Sequence, residues 1–553
     1  MHGKQGKLKS DILEIEVSSN KIKVRKDLTL KNGLSELASF SFPIIATAII
    51  QITQSITTLA FIVRLDSPNY LGAVTLGNMV CNVTGFSLSY GLLTALDTLI
   101  SQAYGARMYS LMGLHAQRAI VILTLCSIPV VIIWSYTGEF LYYVLGIDYE
   151  TSMLAGQWAR YIRYGIWPAL VFDICKKFLQ GQQIVWPVVV AALCSTILNA
   201  IVNYVLVVKY KLGFRGSGIS LVVCQWISLF ILVAIIIGRK YYMRSVLSAT
   251  RANVLYTQVQ SAESSETDVE KRVDQAVTSE DNPEDNWPPL SLKIFRDWGT
   301  FLSLGVPGAF SLLLEWGSFE TIASVAGKLG SIQLAAHGVF MSTAGFFYMC
   351  PAAISTASAV LVGNRLGDND AEGAKFFMKL GLWVDFAWGI CAGGVLVLVL
   401  RPYWAFLYTT DVAIQDVVVT TLPIMMLYIT VDSTKCITLN ILRSTGRPGV
   451  TVIGNVVACL FVMLPLGYFL ALQKGYGLVG LWFAMSVAWL IATIGYLYVV
   501  VFTDWQQQAD QARERNQNAA LLASENLDCK MNVDSSAQKS VYDEIELRRT
   551  DLT

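Results

Sequence analysis

Charge is missing from long stretches of this 553-residue chain. Four gaps without Asp, Glu, Lys or Arg are especially long: Asp66 to Asp97, Lys328 to Arg365, Arg447 to Lys474, and Lys474 to Asp504. Because about 20 apolar residues cross the hydrocarbon core of a bilayer, each gap is long enough for a membrane span. The composition agrees, since 54% of the residues are hydrophobic, 15% are charged and the mean hydropathy is +0.51. These values exclude an ordinary soluble domain.

Residues and motifs of catalysis are equally scarce. Histidine occurs only at His2, His115 and His337, and the chain has no H-E-x-x-H, G-x-S-x-G or P-loop motif. Most of the ten cysteines lie in apolar segments, and no C-x-x-C pair occurs. We therefore expect buried free thiols rather than disulfides or a metal site. The sequence predicts neither an enzyme nor a bound cofactor, and nothing in it points to nucleic acid.

Twelve apolar spans are predicted, near residues 36–63, 70–96, 119–145, 152–175, 186–208, 213–238, 299–327, 332–362, 376–400, 416–440, 449–472 and 477–503. The fourth is the least apolar, since Arg160 and Arg163 interrupt it. The first segment is polar and basic, so we expect no cleavable signal peptide. The basic residues of this segment and of alternate loops place both termini in the cytosol by the positive-inside rule. We expect the protein in the plasma membrane or a vesicle membrane.

Polar segments divide the chain into five parts. We predict a cytosolic N-terminal arm at 1–35, a six-helix bundle at 36–240, a cytosolic linker at 241–297, a second six-helix bundle at 298–503 and a cytosolic tail at 504–553. The linker and the tail are rich in acidic and other polar residues. This composition predicts that both are disordered.

The two bundles resemble each other in sequence. A segment that begins at Thr94 is followed by a similar one at Thr356, 262 residues later, and Gly213 and Gly477 open similar segments 264 residues apart. A duplicated unit of six spans has the same orientation in both copies, so the halves are parallel repeats with a substrate path between them. We therefore predict an all-α membrane protein with twelve transmembrane helices in two parallel-repeat six-helix bundles. This is the architecture of a transporter.

Two carboxylates lie inside the seventh predicted span, where charge is costly and usually functional. Glu315 and Glu320 are five residues apart, about 140° around a helix, so only one of them can face a given cleft. Glu315 is followed by Trp316, and Phe319 lies one turn further on. An acid beside aromatic faces suits a bulky cation.

A third acid, Asp432, lies in the tenth span. Lys435 is three residues further on, so a structural ion pair on one helix face competes with a functional role. A nearby cation also changes when a carboxylate takes up a proton. His337, in the eighth span, offers a further protonatable group, although a lone histidine near a span end is more often a filler.

Several stretches of the chain together resemble the multidrug and toxic compound extrusion (MATE) family. They are Asn82 to Gly85, Asp97 to Gly105, Glu315-Trp316 with Phe319-Glu320, Val362 to Gly367, and Leu442 to Gly446. The resemblance covers roughly residues 33–505. It is closest to the animal multidrug and toxin extrusion proteins, which have Asp in the Asp97 motif where plant members usually have Glu. It implies two six-helix bundles around a V-shaped cleft, and export of organic cations in exchange for protons by switching between outward-open and inward-open states.

The resemblance also implies roles for single residues. Family acids match the residues predicted to bind protons and cations, which are Glu315, Glu320 and Asp432. The predicted substrate cleft contains Trp316, Phe319, Tyr348, Asn82 and Ser342. Gating or structural roles are predicted for Asp97, Pro43 and Pro307, since proline kinks a helix.

Two departures from the family pattern matter for the charge of the cleft. Ser342 stands where the animal relatives carry a further Glu, so the cleft has one acid fewer. The first span has Gln51 and Gln54 but no acid, which argues against a coupling carboxylate in the N-terminal bundle.

The sequence therefore predicts a secondary active transporter that exports organic cations or xenobiotics in exchange for protons. Its partners are organic cations, protons and the lipid bilayer, and we expect a functional monomer. Three alternatives stay open: coupling to Na⁺, export of neutral or anionic conjugates such as glycosides or organic acids, and, with less support, a lipid-linked oligosaccharide flippase. The flippase would be expected to carry a basic cavity.

Overall fold

A computed structural model describes residues 29–65, 68–261 and 286–522 of the protein. Most of the predicted N-terminal arm, the centre of the predicted linker and the end of the predicted tail lie outside these residues. The described residues form helices joined by short connections.

Six long helices make up the first half. They are α1 Leu30–Val63, α2 Asn69–Gly105, α3 Tyr109–Ser135, α4 in two segments Tyr149–Ile162 and Ile166–Gly181, α5 Trp186–Lys209, and α6 Gly213–Ser261. A five-residue π-helix, Asn82–Phe86, interrupts α2. A short helix, Thr137–Tyr143, connects α3 to α4.

Six long helices also make up the second half. They are α7 Trp298–Lys328, α8 Ser331–Gly367, α9 Ala371–Leu407, α10 in two segments Val412–Thr421 and Pro423–Ser444, α11 Pro448–Gln473, and α12 Gly477–Val501. The two segments of α10 are bent by 55° relative to each other. The bend falls just before Pro423, which has no N–H to continue the helix, and the sequence did not predict it.

The helix count confirms the predicted fold class. Within the described ranges, nine helices are long and apolar enough to cross a membrane, and the bent α10 makes a tenth. The other two spans are α4, which breaks near Arg163, and α7, which is less apolar because it carries Glu315 and Glu320. Together they give twelve transmembrane helices in two bundles.

Two hydrophobic cores lie mainly one in each half, although Leu37 and Phe40 of α1 join the core of the second half and Phe301 and Leu304 of α7 join that of the first. The halves meet along α2. Helix α2 crosses α7 at Gly91, where an added Cβ would lie 2.1 Å from the Cα of Ala309. It crosses α8 at Gly105, where an added Cβ would lie 1.9 Å from the carbonyl oxygen of Asn364. Only glycine permits backbones to approach this closely. The halves are therefore closed against each other at the end of the molecule where α2 and α8 terminate.

The predicted linker is partly structured. Helix α6 continues through Ser261, because no Gly or Pro occurs between Gly238 and Pro283 to end it. After the gap in the structure, Asn286 donates a hydrogen bond to Gln182 at 3.1 Å, and the ring of Trp287 packs edge-on against Phe178 at 5.4 Å. Residues 241–261 are thus helical and the segment from Asn286 contacts α4, where the composition predicted disorder, while residues 262–285 lie outside the described part.

The start of the predicted tail is also ordered. Residues 505–522 form a helix, α13, whose first turn is capped by the Asp504 carboxylate. Trp505 packs into the core of the second half and Ala519 into that of the first half. The guanidinium of Arg515 donates to Gln102 of α2 at 2.6 Å. The composition suggested disorder because it is polar on average and does not reveal that the apolar residues lie on one buried face of this helix. Helix α13 bridges the two halves at their closed end.

Candidate functional site

A cavity of about 790 Å³ lies between the two halves. Its walls come from α1, α2, α4, α5 and α6 on one side and from α7, α8 and α10 on the other. Among the described residues, four acids and four bases line it: Asp97, Asp173, Glu315 and Asp432, and Lys176, Lys177, Lys435 and Arg443. The lining is therefore mixed in charge, whereas the sequence drew attention to the acids of the second half.

Glu315, Asp432 and Lys435 form an acid triad on the wall of the second half. The Nζ atom of Lys435 donates to Oε1 of Glu315 at 2.7 Å and lies 3.5 Å from Oδ1 of Asp432. The three side chains are 14%, 11% and 3% exposed, in the order Glu315, Asp432, Lys435. The ion pair expected between Asp432 and Lys435 exists, but the nearer partner of Lys435 is Glu315 from another helix. With both acids ionised, the acid triad carries one net negative charge.

Neighbouring helices hold Glu315 in place. The amide nitrogen of Asn455, on α11, lies 3.5 Å from the second carboxylate oxygen of Glu315 and donates to the Ser311 hydroxyl at 2.8 Å. The Tyr496 hydroxyl, on α12, donates to the Asn455 amide oxygen at 2.8 Å. Sequence reasoning missed Asn455 and Tyr496, because their connection to Glu315 depends on how three helices pack together.

Aromatic rings surround the acid triad. Trp316, Phe319 and Tyr348 line the cavity. The ammonium group of Lys435 lies 3.5 Å from the centre of the Trp489 ring, and this ring packs edge-on against Phe319 at 6.1 Å. A positive charge over an aromatic face is stabilised by the ring quadrupole. The wall is thus suited to a cation and in this structure already holds one, Lys435.

Three of the residues predicted to bind protons, cations or substrate do not line the cavity. Glu320 is partly buried, with no hydrogen-bond or ion-pair partner within residues 29–65, 68–261 and 286–522. It lies on a different face of α7 from Glu315, as the spacing requires. Asn82 and Ser342 are exposed, and the Ser342 hydroxyl donates to the carbonyl oxygen of Gly338, one turn back on its own helix. These two belong to faces of α2 and α8 that the sequence could not distinguish from the cleft face.

The predicted gating residues have different surroundings. Asp97 faces the cavity and forms an ion pair with Lys177 of α4. Pro43 and Pro307 lie inside the helices α1 and α7 without interrupting them. His337 is buried against Trp482 with a ring separation of 5.7 Å and does not face the cavity. Gating by Asp97, Pro43 and Pro307 stays a prediction.

Three further basic residues line the cavity, Lys176, Lys177 and Arg443, and together they are called the basic cluster. Lys176 forms an ion pair with Asp173, and Lys177 forms one with Asp97. Arg443 comes from the motif at the end of α10. The fourth predicted span ends at residue 175, just before the two lysines. The three-residue spacing of Asp173 and Lys176 was the available signal that they belong to one helix face.

Comparisons with known proteins agree with this geometry. A family model described as MatE matches the chain twice, at residues 43–205 and 307–469. The two matches are 264 residues apart, which confirms the internal repeat. Protein DETOXIFICATION 16 of Arabidopsis thaliana is 29% identical over 509 residues, which cover 92% of this chain and 94% of the plant protein. Multidrug and toxin extrusion protein 1 of Homo sapiens is 27% identical over 443 residues, which cover 80% of this chain and 70% of the human protein.

Solved structures share the fold. The crystal structure of a eukaryotic MATE transporter superimposes with a TM-score of 0.75 at 23% identity, over 88% of this chain and 99% of that one. A Vibrio cholerae MATE transporter in the bent form gives a TM-score of 0.67 at 15% identity, over 89% of this chain and 99% of that one. The repeated match to the family model and the twelve-helix fold around a central cavity show that this chain belongs to the MatE family of multi-pass membrane transporters.

Proposed function

We propose that the protein exports organic cations in exchange for protons by alternating access. The observation that carries the proposal is the acid triad, in which two carboxylates share one ammonium group on an aromatic wall of the cavity. The names of the relatives, which refer to multidrug and toxin extrusion, support the same substrate class.

The acid triad has the charge that such an exchange needs. Its one net negative charge is neutralised either by one monovalent cation or by one proton. Binding of the two is therefore competitive, and a proton that arrives from the acidic side displaces the cation. Exchange requires that the two conformations differ in their affinity for these ligands, not that either binds tightly. The expected ratio is one proton for each monovalent cation.

Lys435 sharpens this competition. A substrate cation must partly replace the Lys435 ammonium as the partner of the carboxylates. A weakly cationic or purely apolar molecule therefore gains little binding free energy from the site. The aromatic side chains Trp316 and Phe319 favour a bulky cation with delocalised or alkylated charge. We infer a preference for large organic cations over small inorganic ones.

The closed end of the molecule gives the direction of access. By the positive-inside rule, the end where α2 and α8 terminate faces the cytosol. With this orientation we infer an outward-facing conformation, in which the acid triad is reached from the outside. Residence in the plasma membrane or in an acidic vesicle, and action as a monomer, are part of the same proposal.

The test is efflux from proteoliposomes that contain the purified full-length protein, with the pH gradient and the Na⁺ gradient varied independently. We expect an organic cation such as tetraethylammonium to accumulate against its gradient in the acidic compartment, because each proton that leaves this compartment is exchanged for a cation that enters it, whatever the Na⁺ gradient. Accumulation that follows Na⁺ and ignores pH would show that the coupling ion is Na⁺. Accumulation that follows neither gradient would contradict the proposal as a whole.

A further inference from the structure

We propose that the basic cluster binds an anionic group of the transported molecule, so that the preferred cargo carries a cationic and an anionic group together. The inference rests on the proposed function, because the cationic end of such a molecule binds the acid triad. It extends that function by adding an anion subsite at the other end of the same cavity.

Arg443 is the central observation. Its side chain lines the cavity and the residue is 8% exposed. Its Nε and Nη2 atoms are buried without an acceptor in the part of the chain that the structure describes. Burying two guanidinium nitrogens without acceptors is unfavourable, because buried charges are normally paired. Because the same side chain lines the cavity, an acceptor that enters the cavity can pair with the guanidinium once the side chain turns towards it, and a carboxylate matches its planar fork.

The charged residues that line the cavity with Arg443 do not neutralise its positive charge. The Thr98 hydroxyl donates to the backbone oxygen of Arg443, and the neighbouring Asp97 is already paired with Lys177. Asp173 is likewise paired with Lys176. The two acids thus neutralise the two lysines, and Arg443 leaves this end of the cavity with one net positive charge. The acid triad at the other end has one net negative charge.

The two charged ends are arranged along one helix. Lys435 and Arg443 are eight residues apart on α10, about 12 Å at 1.5 Å per residue. Leu439 and Asn440 line the cavity between them. The matching ligand is a zwitterion whose two charges lie about 12 Å apart on a rigid aromatic or apolar body.

A matched pair of probes tests this arrangement. The first is a biphenyl with a trimethylammonium group at one end and a carboxylate at the other, and the second is its methyl ester, which has the same body and only the positive charge. Both are offered to proteoliposomes of the full-length protein under an opposing pH gradient. We expect the wild-type protein to have a lower KM for the carboxylate than for the ester. An equal or higher KM for the carboxylate would overturn the inference.

Three variants assign the preference to Arg443. Arg443→Gln should raise the KM for the carboxylate about tenfold or more, since hydrogen bonds to charged groups are strong, and should lower the KM for the ester, because one positive charge has left the cavity. Arg443→Lys keeps the charge and should keep most of the preference. Arg447→Gln is the matched control, since Arg447 donates to Thr503 and does not line the cavity, and it should behave as wild type.

The outcomes separate the inference from the function on which it rests. If neither probe is exchanged for protons, the proposed function fails. If the ester is exchanged but the carboxylate is not preferred, or if Arg443→Gln changes both KM values in the same direction, the anion subsite fails alone. Replacing the chloride salt by an iso-osmotic amount of sucrose distinguishes a free anion from a substrate carboxylate: ester transport that depends on chloride would show that the basic cluster binds a free ion, and would overturn the inference.

Discussion

The ammonium group of Lys435 lies 2.7 Å from a carboxylate oxygen of Glu315, although 120 residues separate the two in sequence. The contact joins α7 to α10 on the wall of the cavity. It means that the carboxylate proposed to exchange a proton for a cation already has a cation beside it. Any substrate therefore competes with Lys435 as well as with protons, and several properties of the transporter depend on this one contact.

Replacing Lys435 by Met should change the transport ratio. The substitution keeps an unbranched apolar chain but removes the ammonium, so Glu315 and Asp432 together carry two negative charges. We expect the number of protons exchanged per monovalent cation to rise from about one towards two, and divalent organic cations to be preferred, because two charges must now be neutralised. The measurement is the proton gradient that just balances a known cation gradient in proteoliposomes.

The control for this variant is Lys474→Met. Lys474 lies at the end of α11, is exposed and contacts the ring of Phe469, away from the cavity. The number of protons that Lys474→Met exchanges per monovalent cation should remain that of the wild-type protein. An unchanged ratio in Lys435→Met would show that the ammonium takes no part in the charge balance of the site.

Helix α13 should stabilise the closed end of the molecule. Arg515 donates to the side chain of Gln102, and Asn516 donates to its backbone oxygen at 3.1 Å. Gln102 in turn donates to the backbone oxygen of Ser444 in the second half, at 2.8 Å. Opening this end must break these contacts. Removing the Arg515 side chain should therefore favour the open state by about 1–2 kcal/mol, about five- to thirtyfold in population.

Distance measurements can detect this shift. Spin labels can be placed at Arg107 and Glu372, which are both exposed and lie one in each half. The open state separates the two labels, so the fraction of molecules with the longer label-to-label distance should be larger in Arg515→Ala than in the wild-type background. Arg513→Ala, on the exposed face of the same helix, should have no effect. If the distance distribution of Arg515→Ala matches that of the parent protein, α13 does not hold the halves together.

Asp385 should tolerate replacement by Asn. It is fully buried in α9, and neither carboxylate oxygen has a partner among the described residues. An ionised carboxylate would be very unfavourable there, so we infer that Asp385 is neutral, and Asn has nearly the same size and charge. We expect the melting temperature of Asp385→Asn in detergent to stay close to that of the wild-type protein.

The matched comparison is Asp297→Asn. Asp297 forms a buried ion pair with Arg118 at 3.1 Å, and breaking such a pair costs about 3–5 kcal/mol. Its melting temperature should fall clearly. A large fall in Asp385→Asn instead would mean that Asp385 is ionised and has a partner in the folded protein.

The architecture could be predicted from the sequence because membrane-spanning helices must be apolar and the loops between them are charged. The sequence placed the third span at 119–145, however, while the helix is Tyr109–Ser135. Arg118 suggested a span boundary, but it lies inside the helix, where Asp297 compensates its charge. A charge whose partner is 179 residues away cannot be recognised as paired from local sequence.

The site shows the same limit. The aromatic neighbours of Glu315 follow from adjacent positions on one helix, and spacing alone separated Glu315 from Glu320. The Lys435 contact, the support from Asn455 and the unpaired Arg443 depend on packing between helices. Ser342 and Asn82 were assigned to the cleft by resemblance; they are exposed and do not line this cavity, and their role in the cleft stays a prediction.

The most direct test of the proposed mechanism is proton-driven cation exchange by Glu315→Gln, compared with Glu320→Gln. Both substitutions keep the size of the side chain and remove the titratable charge, but only Glu315 contacts Lys435 and lines the cavity. We predict that Glu315→Gln reaches the membrane in normal amount, loses pH-driven exchange and binds the cation almost independently of pH. Glu320→Gln should retain pH-driven exchange. Wild-type exchange by Glu315→Gln, with its pH dependence intact, would contradict the account.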